Sequence, residues 1–261
     1  MSRGRRPAAG PPRDPTPANG REWHDPARVE GYLRHPAAEL PWWRESESAL
    51  LEHLPRRVTR FLDIGTGDGR LIALVRRAHP AAAAVGLDFS PPMLAAAARR
   101  FAGVPDVELI AHDLAHPLPP LGSFDLIVSG LAIHHLEDAR KRSLYGEVHR
   151  LLRPGGRFLN LEHVSSATAR LHREFMTRIG EAPEDEDPSD RCAPAWRQAE
   201  WLREVGFADA DCHWKWREIA LIGGRREAGP ATVHGAPGPA GDGSPNAEGP
   251  AAARPSGRPG R

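Results

Sequence analysis

A glycine-rich turn and the acids around it are the residues in this sequence best placed to do chemistry. Phe61-Leu62-Asp63-Ile64-Gly65-Thr66-Gly67-Asp68-Gly69-Arg70 reads as a strand that runs into a glycine turn and opens a helix. Glycines there let the backbone bend tightly and let a ligand approach the main chain. A dinucleotide-binding turn usually reads G-x-G-x-x-G, with a pyrophosphate at the helix N-terminus. This turn reads G-x-G-x-G and carries Asp63 and Asp68. Negative charge makes it a poor host for a pyrophosphate and a good one for a cationic amino-acid end. Asp88, at the end of a second strand, can accept hydrogen bonds from both hydroxyls of a ribose. The competing reading is an N-cap of the helix opening at Ser90-Pro91-Pro92, for which Ser90 is better placed. Asp113, in His112-Asp113-Leu114, can accept from an adenine amino group or stand as a solvated loop acid.

These residues need a scaffold, and the sequence describes one. Short apolar runs at Val58–Ile64, Val85–Asp88, Val107–Ala111, Phe124–Ser129 and Arg157–His163 read as buried strands. Between them, Leu71, Leu74, Val75 and Ala78, then Pro92–Phe101, then Leu144, Val148, Leu151 and Leu152 recur at helical spacing. The last of these helices is expected to stop at Arg153-Pro154-Gly155-Gly156. Strands alternating with helices imply a mainly parallel sheet covered on both faces. Asp25-Pro26 opens one early helix, and Leu50, Leu51 and Leu54 mark another, together expected to cap the strands' carboxyl ends. A helix with Leu171, Phe175 and Ile179 on one stripe follows the fifth strand. Another runs from about Pro194 to Gly206, and the runs Ala210–Trp216 and Glu218–Ile222 suggest a terminal antiparallel pair.

The chain has 261 residues, 40% of them hydrophobic, enough for one α/β domain with a buried core. Residues 1–21 and 225–261 are rich in Pro, Gly and Arg without apolar periodicity and are expected to be disordered, leaving the domain at 22–224. A net charge of +1 gives no support to a broadly basic nucleic-acid-binding surface. Cys192 and Cys212 cannot by themselves make a disulfide framework or a four-ligand zinc site, and no metal is expected. No apolar run is long enough to cross a bilayer, and the N-terminus shows no secretory apolar region, so the cytoplasm is the expected location.

Taken in order, FLDIGTGDG, GLDFSPPML, the HDL triplet, FDLIVSGLAIHHL and LLRPGGRFL resemble the class I S-adenosylmethionine-dependent methyltransferases, strongly from Val58 to His163 and weakly elsewhere. The resemblance implies a Rossmann-like, doubly wound seven-stranded sheet, mostly parallel, with the last strand antiparallel. It implies that S-adenosyl-L-methionine is the cofactor. Asp63, Gly65, Thr66 and Gly67 would hold the methionine part, Asp88 the ribose diol, and Phe89 and Met93 would pack on the adenine. His112, Asp113 and Leu114 would meet the adenine edge, and Ser129, Gly130 and Leu131 would lie close to the sulfonium. All these positions fall at carboxyl ends of parallel strands, where an open α/β sheet forms its crevice. A nucleophile that sheds a proton would need a base. His134 and His135 are the candidates, with Glu162 and His163 as groups that could orient substrate.

No N/D-P-P-[YFW] tetrad follows the fourth strand, where the chain reads Ser129-Gly130-Leu131-Ala132, which disfavours nucleobase amino methylation. Trp23, Tyr32, Trp42, Trp43, Phe175, Met176, Trp196 and Trp201 could wall a planar small molecule or pack as core. Alternation places Trp214 and Trp216 on one strand face, with burial against a helix favoured over a binding role. Glu181–Arg191 carries six acids, would repel a phosphate backbone, and reads as a solvated loop. The expected activity is methyl transfer to an O, N or C atom of a small molecule. The alternatives are a tRNA-modifying methyl- or carboxymethyltransferase, and a non-catalytic scaffold that keeps the cofactor fold.

Overall fold

The structure, a computed structural model, describes residues 21–34, 40, 42–182 and 186–228. The chain divides into two units, Met1–Gly229 and Pro230–Arg261. The second unit and residues 1–20 lie outside the described residues, and with them both expected tails save Arg21 and residues 225–228.

Seven strands form one sheet: β1 (Arg60–Ile64), β2 (Ala83–Asp88), β3 (Val107–Ala111), β4 (Phe124–Gly130), β5 (Leu152–His163), β6 (Ala208–Trp216) and β7 (Ile219–Arg225), in the order β3-β2-β1-β4-β5-β7-β6. The first five are mutually parallel, and β7 pairs antiparallel with both β5 and β6. The helices are α1 (Pro26–Arg34), α2 (Trp43–Glu52), α3 (Arg70–Ala78), α4 (Pro91–Arg100), α5 (Asp138–Leu151), α6 (Ala169–Ile179) and α7 (Ala195–Val205). The expected sheet, its antiparallel end and its helical layers are all present.

Alternation along the strands sorts the core into two layers. Leu62, Ile64, Ile127, Phe158, Ala220 and Ile222 pack with Leu144, Tyr145 and Val148 of α5 and Trp201 and Leu202 of α7. Their neighbours Phe61, Leu126, Val128, Leu159, Leu161 and Leu221 pack on the other face with α2, α3 and α6 residues such as Trp43, Leu50, Leu71, Val75 and Phe175. Of the side chains that could wall a substrate, Trp42, Trp43, Phe175, Met176 and Trp201 are therefore core residues, and Trp196 is exposed on the surface. Trp214 and Trp216 pack against the second layer, as their shared strand face suggested.

Two boundaries differ from the expected ones. Helix α5 does end at Leu151, but β5 begins at the next residue, and Arg153–Gly156 is looped out of the strand, because Phe124 pairs with Leu152 while Leu126 pairs with Arg157. Strand β7 also runs to Arg225, beyond the expected run ending at Ile222; Arg226 N–H donates to the Gly156 carbonyl, and its guanidinium caps the carbonyls at the end of α5. The early helices also split. The 3-10 turn Arg21–His24 and α1 contact α4, whereas α2 lies against the sheet beside α3.

Candidate functional site

The sheet reverses its winding direction between β1 and β4, which are neighbours in space, and the crevice at such a switch point lies beyond the strands' carboxyl ends. Gly65, Gly67 and Gly69 all have left-handed φ, at +69°, +53° and +81°. A Cβ on Gly65 would stand 2.2 Å from the Ala132 Cβ, so the turn can nest against the segment after β4 only as glycine. Asp63 ends up buried under this turn. Its Oδ2 accepts from the Thr66 hydroxyl at 2.7 Å, and its Oδ1 is buried with no hydrogen-bond partner among the described residues. Burial pushes its carboxyl up to about 7, against the Thr66 hydrogen bond and with the Asp88 and Asp68 charges adding to the rise.

Asp88 closes the turn. Its Oδ2 accepts from Gly67 N–H at 2.8 Å and its Oδ1 from Ser90 N–H at 2.9 Å. Burial raises its pKa despite those hydrogen bonds. Ser90, not Asp88, caps α4, taking Met93 N–H on its hydroxyl. Met93 and Leu114 are buried, and Met93 Sδ lies 3.9 Å from the Cβ position of Gly67. His112 donates its backbone N–H to the Asp88 carbonyl, and its ring Nε2 is buried with no hydrogen-bond partner among the described residues. Asp113 is exposed, with Oδ1 accepting from Ala115 N–H. At the end of β4 the Ser129 hydroxyl donates to the Ile64 carbonyl, so its side chain serves the sheet and only its backbone borders the crevice. Leu131 is held at φ +51° by its N–H bond to the Leu161 carbonyl. Asp68 points away and pairs with Arg100.

The N-terminal 3-10 turn lies across this edge. Its Trp23 carbonyl accepts from the Ser90 hydroxyl, His24 stacks on Phe89 at 5.2 Å, and Trp23 sits 5.3 Å from Tyr32 and 6.4 Å from His135. Arg28 of α1 lies over the Trp23 ring and pairs with Asp187 at 2.6 Å.

The acidic segment departs most from its reading as a solvated loop. Its residues 183–185 lie outside the described set, but residues 186–191 fold back onto the histidines. Arg191 N–H donates to the His134 carbonyl, and the buried Lys141 ammonium donates to the Arg191 carbonyl. His134 is buried, with Nδ1 2.8 Å from Glu162 Oε1 and Nε2 3.5 Å from Asp190 Oδ1. His135 Nδ1 lies 2.8 Å from the Ser189 hydroxyl, which itself donates to Asp187 Oδ1 at 2.7 Å. With the serine proton given to Asp187, His135 Nδ1 is the donor of its pair, which leaves Nε2 with the lone pair. Burial and the neighbouring His134 lower the His135 pKa to about 4 despite the surrounding carboxylates, so the ring is neutral. His163 Nδ1 faces Asp190 Oδ2 at 3.2 Å and its Nε2 faces Glu218 Oε2 at 3.3 Å. Burial alone would lower the His163 pKa, but contacts with Asp190, Cys192 and Glu218 raise it to about 12. Asp187, Ser189 and Asp190 escaped the sequence reading. The signal available for them was the histidine surplus around 134, 135 and 163, which needs acidic partners once buried.

A family model described as a methyltransferase domain matches residues 61–156. The chain is 39% identical over 148 residues to a protein named demethylmenaquinone methyltransferase from Thermus thermophilus, spanning 54% of this chain and 64% of that one. It is 34% identical over 196 residues to a protein of the same name from Roseiflexus castenholzii, spanning 66% of this chain and 80% of that one. Among solved structures, it is similar to an O-methyltransferase family protein from Burkholderia thailandensis, with a TM-score of 0.64 and 20% identity, over 82% of this chain and 64% of that one. That last likeness concerns the fold.

Proposed function

The chain belongs to the class I S-adenosylmethionine-dependent methyltransferase family, and from that premise we propose that it transfers a methyl group to a hydroxylated aromatic small molecule of quinol type. The observation that carries the cofactor half of this reading is the buried, unpartnered Asp63 Oδ1 beneath a turn of left-handed glycines. A buried carboxylate oxygen that makes no hydrogen bond among the described residues is open to a donor from a ligand. His112 Nε2 is a second buried atom lacking a partner on the same edge. Both fit a ligand with a cationic amino end and a nucleoside.

In this reading Asp63 holds the amino group, and Asp88 accepts from the ribose hydroxyls with the lone pairs that Gly67 and Ser90 leave open. Phe89, Met93 and Leu114 enclose the adenine, and His112 and Asp113 meet its polar edge. Gly65, Thr66 and Gly67 border the methionine part, and the backbones of Ser129, Gly130 and Leu131 border the reacting centre. S-adenosylmethionine bound there supplies an activated methyl group, so the protein's task is alignment and exclusion of water. Of the three wall candidates outside the core, Trp196 faces solvent on α7, and Trp23 and Tyr32, beside His135, shield the acceptor. His135 Nε2 receives the acceptor's proton, and the Ser189–Asp187 pair behind it fixes the tautomer. His134 positions that segment between Glu162 and Asp190.

The acceptor class follows the relatives' names and those two aromatic rings. Among the described residues no helix is long and apolar enough to cross a membrane, and we place the enzyme in the cytoplasm. The test is a methyl-transfer assay with S-adenosylmethionine and demethylated quinols, read by mass spectrometry. His135→Ala should lower kcat by roughly 10²–10⁴-fold while leaving affinity for the demethylated cofactor unchanged. Methylation of a tRNA transcript and no small acceptor would replace this reading with the nucleic-acid one.

A further inference from the structure

We propose that His134, His163 and Asp190 form a binding site for one divalent first-row transition-metal ion of the zinc class. One ligand atom from each lies within 4.8 Å of the others. Two ligands roughly 2.1 Å from a tetrahedral ion stand about 3.4 Å apart. His134 Nε2 lies 3.5 Å from Asp190 Oδ1 and His163 Nδ1 lies 3.2 Å from the other oxygen, Oδ2, so each nitrogen meets its own oxygen of the one carboxylate near that spacing. Asp190 Oδ1 is buried and makes no hydrogen bond among the described residues. It approaches two imidazole nitrogens, His134 Nε2 and His135 Nδ1, at 3.5 Å without bonding either.

The surroundings of the two histidines argue further. Metal-bound imidazoles give their other ring nitrogen to a carboxylate that fixes the ring. Here His134 Nδ1 meets Glu162 Oε1 at 2.8 Å, and His163 Nε2 meets Glu218 Oε2 at 3.3 Å. Glu162 is itself held by the Asn160 amide and by His163 N–H, each at 3.0 Å. Both imidazoles therefore present their remaining nitrogen to one carboxylate, and the ion would displace to solvent the proton that His163 Nδ1 holds toward Asp190. Two nitrogens and one oxygen suit zinc or its neighbours rather than magnesium or calcium, which take oxygen ligands. Three protein ligands leave a position open. His163, Asp190 and Cys192 line a cavity of about 350 Å³, through which a fourth ligand reaches the ion.

The site stands independently of the methyl-transfer reading, since metal binding is measured directly. Untagged full-length protein, freed of metal by chelation and dialysis, is titrated by calorimetry with zinc and separately with magnesium. Cobalt substitution reports the geometry by its visible absorption. One zinc per chain, no magnesium binding and a tetrahedral cobalt spectrum are expected. Asp190→Asn and His163→Gln should each weaken zinc by more than ~100-fold, and Glu218→Gln by roughly 10–100-fold. Failure of the unaltered protein to bind one zinc overturns the site. So does undiminished affinity in both ligand variants, and equal binding of magnesium overturns the ion class. Affinity for the demethylated cofactor, measured on the same samples, reports separately on the preceding reading.

Discussion

In the proposed site, Asp63 would couple ligand binding to protonation. A carboxyl held at about 7 in the folded state, above its unfolded value near 4, disfavours its own ionised form. The ligand-free fold therefore loses stability as pH rises from about 4 to about 7, and a bound cationic amino group reverses that loss. Affinity for S-adenosylhomocysteine should rise between pH 6 and pH 8, with proton release visible as a dependence of binding heat on buffer. Asp63→Asn should weaken binding and flatten the profile; a variant retaining the wild-type pH dependence would locate the proton elsewhere. Asp88→Ala should cost roughly 1.5–3 kcal/mol of cofactor affinity through its lost charged hydrogen bonds, read by calorimetry. At this scale the sequence was informative wherever a residue lies within one strand–turn–helix unit, as Asp63, Gly65 and Gly67 do between β1 and α3 and Asp88 does between β2 and α4. It was silent about Asp187, Ser189 and Asp190, whose partners stand on α1 (Arg28), on the turn after β4 (His134 and His135) and on β5 (His163), and a run of acids reads as solvated until the fold supplies those partners.

Among the elements, the looped-out Arg153–Gly156 segment shows how a correct local signal can yield a wrong boundary. Pro154 and the two glycines do interrupt regular structure, but the chain is already paired with β4 at Leu152. Asp125 organises this corner. It accepts from Thr59 N–H, Thr59 hydroxyl and Arg60 N–H at the start of β1, and pairs with Arg153 at 2.6 Å. Its partial burial would raise its pKa, but these hydrogen bonds lower it to about 2. Its folded pKa lies below the unfolded one, so its contribution is complete above about pH 4 and is lost as pH falls toward 2. Asp125→Ala should lower unfolding free energy by ~2 kcal/mol at pH 7 and blunt the acid transition between pH 4 and 2. Urea denaturation at pH 7 and pH 3 measures both. The N-terminal segment is a second element with a joining role, since the Trp23 carbonyl accepts from the Ser90 hydroxyl at the start of α4 and Arg28 reaches Asp187 on the histidine side.

Across the whole molecule, the period-2 strands and period-3.6 helices fixed both faces of the sheet before any contact was known, because burial on two sides leaves few other ways to arrange them. The crevice then follows from the switch between β1 and β4. The pattern gave the early helix opened at Asp25-Pro26 as part of a cap over the strand ends; what it could not supply was residues 186–192 of that layer, because they are held by ion pairs and hydrogen bonds that leave no periodic trace. The central claim is that this crevice binds S-adenosylmethionine. Its most direct test is a thermal-shift titration of the full-length chain with S-adenosylhomocysteine, S-adenosylmethionine and a nicotinamide dinucleotide side by side. The account predicts that the first two raise the melting temperature in proportion to affinity and that the dinucleotide does not. Stabilisation by the dinucleotide alone, or by none of the three, would contradict it.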